Sequence, residues 1–349
     1  MTKSGSIHIL GCGAIGGLVG YEVSTIKSAP TITLLWRNQQ RLNNFIEKHQ
    51  STVTLNRLFK PDEPALTSKL NAASPETLAA PIENLIVTTK TYQTQAALKP
   101  YLHLISPKTN ILLIQNGLGV VDELYRDVWP QVESRPNMYQ GVTGHGAFIT
   151  PHETDFVVSH AGYADMNIAK LPRDLNVTEQ FDPEPPTFIK QLIDAKDLNT
   201  KYMPYTDLLL IQLKKFMVNA CINPVTAIVN CVNGELIKCD NVQELFMDII
   251  SEAVDTFFAC IPALKGNEAA AKFLDKKAMY DNVMNVGTVL NVKNSSSMRQ
   301  DVLNLRDTEI DYINGFVVTL AEKNGLKADA NKTVRNFVKL RLSLDRSRS

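Results

Sequence analysis

Lys215, Asn219 and Asn223 stand four residues apart in a stretch that is otherwise almost wholly apolar over residues 208–222. At 3.6 residues per turn that spacing draws a single polar stripe along one face of a helix. An ammonium and two amides on one buried face need partners, because an unsatisfied buried polar group costs about 1–3 kcal/mol and a charge costs more. A bound polar molecule would supply those partners; a network made only for structure is the alternative. Glu309 raises the same question. Leu305, Ile313, Phe316 and Leu320 recur at helical spacing, and Glu309 falls on their face, so the pattern predicts a helix that aims a carboxylate inward, toward chemistry or toward a structural ion pair. In Asn294-Ser-Ser-Ser297, followed by Met298-Arg-Gln300, Ser297 and Gln300 have the spacing of a capping box at a helix start. Asn294, Ser295, Ser296 and Ser297 then either end a loop and nothing more, or present hydroxyls and free helix N–H groups to a carboxylate.

A second group lies near the N-terminus. Gly11-x-Gly13-x-x-Gly16 follows the apolar run Ile7-His-Ile-Leu10 and opens a helical period over 15–27. Glycines at that spacing tighten a strand-to-helix turn and let backbone approach a pyrophosphate at the helix N-terminus, with Cys12, Ala14 and Ile15 filling the turn. The next strand, 32–36, ends in Trp36-Arg37 and not in the Asp or Glu that accepts hydrogen bonds from an adenosine ribose. A guanidinium there suits a ribose 2′-phosphate, which favours NADPH. Lys90 and Asn116 each come just after an apolar strand, where the ligand crevice of an open parallel sheet is lined; an ordinary loop residue is the alternative for either.

The elements that must position these groups fall into two blocks. Apolar strands at 7–10, 32–36, 84–89 and 111–115 alternate with helical periods, one of them signalled by Ser74-Pro-Glu, and predict a parallel sheet. The β-rich runs 141–149, 156–160 and 164–169 have no helices between them and predict antiparallel strands extending that sheet. Residues 172–186, rich in Pro, Asp and Glu, predict a surface loop, and the tail 341–349 a frayed end. From Asp207 long helical periods take over at 241–260, 267–292 and 305–324. The expected fold class is α/β: an N-terminal Rossmann-type mixed-sheet domain at 1–206 and an all-helical C-terminal domain at 207–349, with the substrate held between them.

A chain of 349 residues is long for one core, in keeping with two domains. Its 36 basic and 36 acidic residues create no overall field toward nucleic acid or an anionic membrane, so a small-molecule partner is expected. The five cysteines form no CxxC pair and the six histidines do not stand at zinc spacing beside them; free thiols, no metal and a reducing cytoplasm are expected. Residues 1–6 carry neither signal nor transit pattern. The uncharged run 216–234 is nearly long enough to span a membrane, but four asparagines and Pro224 predict a buried helix and turn instead.

Taken in order, these residues resemble the ketopantoate reductase (2-dehydropantoate 2-reductase) family along nearly the whole chain. Leu10-Gly-Cys-Gly-Ala-Ile-Gly16, Gln115-Asn-Gly-Leu-Gly119, Lys215-Phe-Met-Val-Asn-Ala-Cys-Ile-Asn-Pro-Val-Thr-Ala227 and Asp307-Thr-Glu-Ile-Asp-Tyr-Ile-Asn-Gly315 carry the resemblance, with Asn233-Gly-Glu235 and Ser296-Ser-Met-Arg-Gln-Asp301 adding to it. The resemblance implies NADPH-dependent reduction of ketopantoate to pantoate, in the synthesis of pantothenate and coenzyme A. It implies Lys215 as proton donor, Asn219, Asn223 and Asn233 holding the substrate, and residues 294–297 at its hydroxyl and carboxylate end. Arg37 falls at the 2′-phosphate, with Lys90, Asn116, Ala147 and Glu309 around the cofactor and Glu309 orienting Lys215. An ammonium within reach of a keto oxygen both stabilises the charge that hydride transfer builds there and delivers the proton. Residues 122–139 and 172–186 look longer than in compact relatives and the final helix lacks a proline-bearing start, which leaves the oligomeric state open, a homodimer included. A family member reducing another branched 2-oxo acid would keep the catalytic set. An NADPH-binding sensor would need neither Lys215 nor Glu309, and a 3-hydroxy-acid dehydrogenase would surround its lysine differently.

Overall fold

The computed structural model describes residues 5–177 and 179–349; Met1–Ser4, part of the stretch read above as carrying neither signal nor transit pattern, and Thr178 in the acidic loop lie outside the described residues. The chain forms two compact units, Met1–Gln115 with Asp122–Leu208, and Asn116–Val121 with Leu209–Ser349.

In the first unit β1 (Ser6–Leu10), α1 (Ala14–Ser24) and β2 (Thr31–Leu35) form the expected strand–helix–strand start, and the short α2 (Gln39–Asn43) follows. Then come β3 (Thr52–Arg57), β4 (Leu66–Lys69), β5 (Asn71–Ala73), β6 (Asn84–Val87), α3 (Thr94–Leu98), β7 (Asn110–Leu113), α4 (Val120–Asp127), β8 (Asn137–Thr143), β9 (Gly146–Thr150), β10 (Phe156–Gly162), β11 (Met166–Lys170), α5 (Thr187–Asp194) and β12 (Thr200–Tyr202). The main sheet has the order β12-β11-β8-β7-β6-β1-β2-β5, and β1 pairs in parallel with β2 (Ile9 opposite Leu34) and with β6 (Ile9 opposite Ile86). Only the β8–β11 pair is antiparallel in it. Its central strands are apolar on both faces, with Ile9, Leu34, Ile86 and Leu112 buried on one and Leu10, Leu35, Val87 and Leu113 buried on the other, as a sheet covered by helices requires.

The mixed sheet is as expected, but one run of strands divides differently. Residues 141–149 do not form a single extension of the main sheet. They split at Gly144-His145 into β8, which stays in it, and β9, which joins a separate four-stranded sheet of order β4-β3-β10-β9. The sequence reading overlooked β3 and β4, whose half-buried alternation reads weakly as strand. Nor does Ser74-Pro-Glu start a helix. Thr77 Oγ1 accepts from the Ser74 N–H and closes a single turn, and Pro81 follows too soon for propagation. Residues 122–139 and 172–186 clasp each other: an Arg135 guanidinium N–H donates to the Arg173 carbonyl, Arg173 Nη1 donates to the Arg135 carbonyl at 2.8 Å, and the Tyr125 hydroxyl donates to Pro172.

α6 (Tyr205–Val229) leads into the second unit, followed by α7 (Val242–Cys260), α8 (Glu268–Phe273), α9 (Lys276–Met284), α10 (Ser297–Leu303), α11 (Asn314–Lys323) and α12 (Asp329–Arg348). By length and composition α6 is the one helix among the described residues apolar enough to cross a membrane, yet over half of its apolar window is buried in protein and Leu213, Met217, Ala220 and Cys221 are fully shielded. It is a core helix. Phe216 packs on Phe257 of α7 with ring centroids 5.4 Å apart.

Three helical expectations are corrected. The period 267–292 is broken into α8, α9 and a π-helical stretch Asn285–Leu290, because Leu274-Asp275 stops the first piece and the Asp275 carboxylate caps the second. The period 305–324 is helical only from Asn314: Leu305 takes φ 54°, a left-handed conformation that interrupts the helix. The tail is not frayed; Arg341 donates to the Ile228 carbonyl and Arg346 to Leu305, which holds α12 helical to Arg348.

Candidate active site

In the first unit the glycine turn is closed by steric necessity. Gly11 takes φ 108°, and a Cβ on Gly16 would come within 2.2 Å of the Gly11 carbonyl oxygen. Gly13 differs from both: a Cβ there would meet nothing within 4 Å. The backbone at the head of α1 therefore faces open space, no side chain caps its first turn, and no carboxylate sits in that turn. Those are the conditions under which helix N–H groups receive a pyrophosphate, so the residues present fit a dinucleotide. Cys12 donates its thiol to the Leu35 carbonyl at 3.3 Å, and burial pushes its pKa well up, so it is a filler and not a nucleophile. Ala14 and Ile15 begin α1.

Residues that sequence reasoning missed hold this turn. Thr88 Oγ1, just past β6, donates to the Gly11 carbonyl at 2.6 Å. Gln115 Nε2 donates to the Thr89 carbonyl at 2.7 Å and fixes the loop that leads to Lys90. Sequence reasoning read both only as the ends of the apolar strands 84–89 and 111–115, although Gln115 also opens one of the segments that carry the resemblance. Lys90 begins a short 3-10 turn, Thr91–Gln93, and Ala147 lies on β9 opposite His160. Arg37 is exposed beyond β2 with no ion pair to a described residue, and Asn38 beside it caps α2 by accepting from the Arg41 N–H at 3.0 Å.

In the second unit α6 places Lys215, Asn219 and Asn223 on one stripe, as the spacing predicted. Lys215 is partly buried and its Nζ donates to Asn116 Oδ1 at 2.9 Å. Removal from water pulls the lysine pKa down from 10.5 to about 8, while the charge of Glu309 acts in the opposite direction. Glu309 is 6% exposed, so it does point inward, but from the bend before a 3-10 turn, Ile310–Tyr312, and not from a helix face. Asn116 is held by its neighbour Gly117 (φ 81°), where a Cβ would meet the Tyr312 carbonyl at 2.5 Å, and by Leu118 N–H donating to that same carbonyl. Lys215, Asn116 and Glu309 therefore share one electrostatic environment built from three remote segments. Lys214, one residue earlier, lies 5.8 Å from the Phe273 ring.

Asn223 and Asn233 are nearly shielded, and Asn233 Oδ1 is buried with no hydrogen-bond partner. Such an orphan is expensive unless a ligand completes it. The expected capping box of Ser297 and Gln300 does not form: Ser296 is the N-cap, accepting from the Arg299 N–H at 3.1 Å, and Ser297 is the exposed first residue of α10. Gln300 bonds Ser295 Oγ, and Asn294 bonds Asn291.

A glycine-turn nucleotide unit followed by a helical unit with an inward lysine and carboxylate defines a dinucleotide-binding oxidoreductase. The family models agree: "Ketopantoate reductase PanE/ApbA" matches residues 7–173 and "Ketopantoate reductase PanE/ApbA C terminal" matches residues 207–341. The chain belongs to the ketopantoate reductase family. It is 45% identical over 348 residues to a Schizosaccharomyces pombe protein named "Probable 2-dehydropantoate 2-reductase", covering 99% of this chain and 98% of that one. It is 38% identical to the Saccharomyces cerevisiae 2-dehydropantoate 2-reductase, covering 99% and 96%. Among solved structures, a ternary complex of D-mandelate dehydrogenase with NADH and anilino(oxo)acetate superposes with a TM-score of 0.75 at 21% identity, over 97% of this chain and 98% of that one, a likeness of fold.

Proposed function

We propose that this protein reduces 2-dehydropantoate to pantoate with NADPH. The observation that carries the reading is Lys215: a partly buried ammonium on an otherwise apolar helix, with a hydrogen bond to Asn116 and a pKa lowered to about 8, next to the charge of Glu309. Relatives bearing that activity in their names extend over essentially the whole chain.

The nicotinamide, when bound, supplies the hydride. The N–H groups at the head of α1 and the turn 11–16 hold the pyrophosphate, Arg37 pairs with the 2′-phosphate, and Lys90 and Ala147 line the remainder of the cofactor. Lys215 Nζ donates a hydrogen bond to the substrate's keto oxygen, stabilises the negative charge that develops there and passes its proton to it. Asn116 and Glu309 orient the ammonium, and Glu309 keeps it charged near neutral pH. Asn219, Asn223 and Asn233 receive the hydroxyl and carboxylate of the keto acid, with Asn294, Ser295, Ser296 and Ser297 at that end. A pKa near 8 suits a donor that must be protonated before reaction yet give its proton up readily. Two copies forming a homodimer and a cytoplasmic location accompany this reading.

NADPH oxidation followed by absorbance against 2-dehydropantoate and a panel of other branched 2-oxo acids tests the assignment. Fastest turnover with 2-dehydropantoate is expected; no turnover with it and ready turnover with another member of the panel would reassign the substrate.

A further inference from the structure

The stripe on α6 does not end at Asn223. Thr226, three residues on, is fully buried, and its hydroxyl donates to the Ile222 carbonyl at 2.7 Å. The same oxygen lies 2.7 Å from Ser296 Oγ. A hydroxyl has one proton to give. Either hydroxyl can donate to the other, both also reach the Asn223 carbonyl (3.1 Å from Thr226 Oγ1, 3.5 Å from Ser296 Oγ), and Ser296 accepts from Arg299 N–H at 3.1 Å. The result is a continuous chain from the first turn of α10 through Ser296 and Thr226 into the backbone of α6 at the Ile222 and Asn223 carbonyls. Each link polarises the next.

A second tie lies beside it. Asn233 N–H donates to the Asn294 carbonyl and Gly234 N–H to the Val292 carbonyl, both at 3.0 Å. This close pairing exists only because residue 234 has no side chain: a Cβ there would sit 2.3 Å from Val292 Cγ2 and 2.7 Å from the Val292 carbonyl oxygen. The backbone of Gly234 is not left-handed, so the glycine is needed for room and not for conformation.

We propose that Thr226 and Gly234 are positioning residues, which hold residues 294–297 at a fixed distance from Asn223 and Asn233 and thereby set the affinity for the carboxylate and hydroxyl end of the keto acid. The inference rests on the functional reading above for the identity of the substrate.

Thr226→Val keeps the shape and removes the hydroxyl; Thr226→Ser keeps the hydroxyl. In full-length protein, Thr226→Val should raise KM for the keto acid about tenfold, the worth of one neutral hydrogen bond, with kcat and NADPH affinity within about twofold. Thr226→Ser should return KM to within about twofold of the unmodified value, and Gly234→Ala should raise KM at least as far as Thr226→Val. Hydrogen exchange read at residues 297–300 should quicken in Thr226→Val, a readout independent of which acid is the substrate. Unchanged KM with unchanged exchange, equal impairment by Ser and Val, or parallel loss of NADPH affinity would overturn the proposal. Absence of turnover by the unmodified protein would instead overturn the functional reading and leave the exchange result to decide this one; should Thr226→Val fail to fold, Gly234→Ala carries the same test.

Discussion

Replacing Lys215 tests the reading most directly, because the structure gives both a rate and a pH dependence to expect. With its pKa at about 8, the side chain is about 90% protonated at pH 7 and about 10% protonated at pH 9. Turnover of the unmodified protein at saturating NADPH and keto acid should therefore be flat near neutrality and fall toward tenfold per pH unit above 8. Lys215→Ala should lose about 10² to 10⁴ in kcat and lose the alkaline limb with it, because the residual reaction no longer depends on that proton. Lys214→Ala should change little, since its ammonium lies over Phe273, away from Asn116. Stability supplies a separate check. The folded pKa lies below the ordinary 10.5, so the unfolded chain binds the proton more tightly between pH 8 and 10.5; stability rises with pH through that window, and the cost is fully present below it. That cost is about 3 kcal/mol at pH 7. Lys215→Met, which fills the same space without charge, should thus melt no lower than the unmodified protein at pH 7. A Met variant that melts far lower while turnover in Lys215→Ala stays near the unmodified rate would make the lysine structural and end the argument.

Arg37→Ala should weaken NADPH binding about ten- to hundred-fold, the loss of charge-assisted bonds to a phosphate, and leave NADH binding nearly unchanged; equal titration of both cofactors by the unmodified protein refutes the assignment. Acid should destabilise the β9–β10 region through His160. His145 Nδ1 accepts from Ala164 N–H at 3.2 Å, so His160 reaches it, at 3.0 Å, through its own Nε2–H, and the buried His160 Nδ1 faces no acceptor. Burial holds that imidazole's pKa down at about 4 against 6.5 unfolded, so stability is intact above pH 6.5 and falls as pH drops toward 4, by about 2 kcal/mol at pH 5. Urea midpoints at pH 7 and 5 should converge in His160→Phe, and an unchanged difference would discard the histidine as the cause. Asn314→Leu should cost about 1–3 kcal/mol in urea unfolding, because the buried Ala220 carbonyl loses the 3.0 Å bond it receives from Asn314; full stability in that variant would show the bond to be dispensable.

The sequence was most informative where periodicity and chemistry coincide. β1, the glycine turn, α1 and β2 were legible because an apolar strand, glycines and a helical period follow each other without a break, and the stripe on α6 was legible because polar residues stood out against an apolar helix. The second sheet was not legible. β3 and β10 pair in parallel across a hundred residues, and nothing local in either strand specifies a partner that distant. Glu309 was placed inward for the wrong reason: the left-handed Leu305 interrupts the helix its neighbours suggested, yet burial is decided by packing and the carboxylate faces in from a bend. Asn116 could be placed after a strand, but its bond to Lys215 joins residues 99 apart in the chain, a relation that spacing cannot express.

Pro224 shows how closely the two kinds of polar residue on α6 are joined. A proline inside a helix removes the N–H that would bind the carbonyl four residues earlier, which here is Ala220. Asn314 supplies that carbonyl with a donor, and Asn331 continues the network to the Ile249 carbonyl and to Glu252, whose carboxylate also accepts from Ala330 and Asn331 N–H at the start of α12. The asparagine of the Asp307–Gly315 motif is therefore structural, while Glu309, five residues earlier in the same motif, lies in the field of Lys215. Proximity within a motif does not assign a common role. Partner count alone does not separate Asn314 from Asn233, since the side-chain oxygens of both are buried with no partner among the described residues; what marks Asn314 as structural is that its Nδ2 serves the carbonyl left open by Pro224 and joins the Asn331 network.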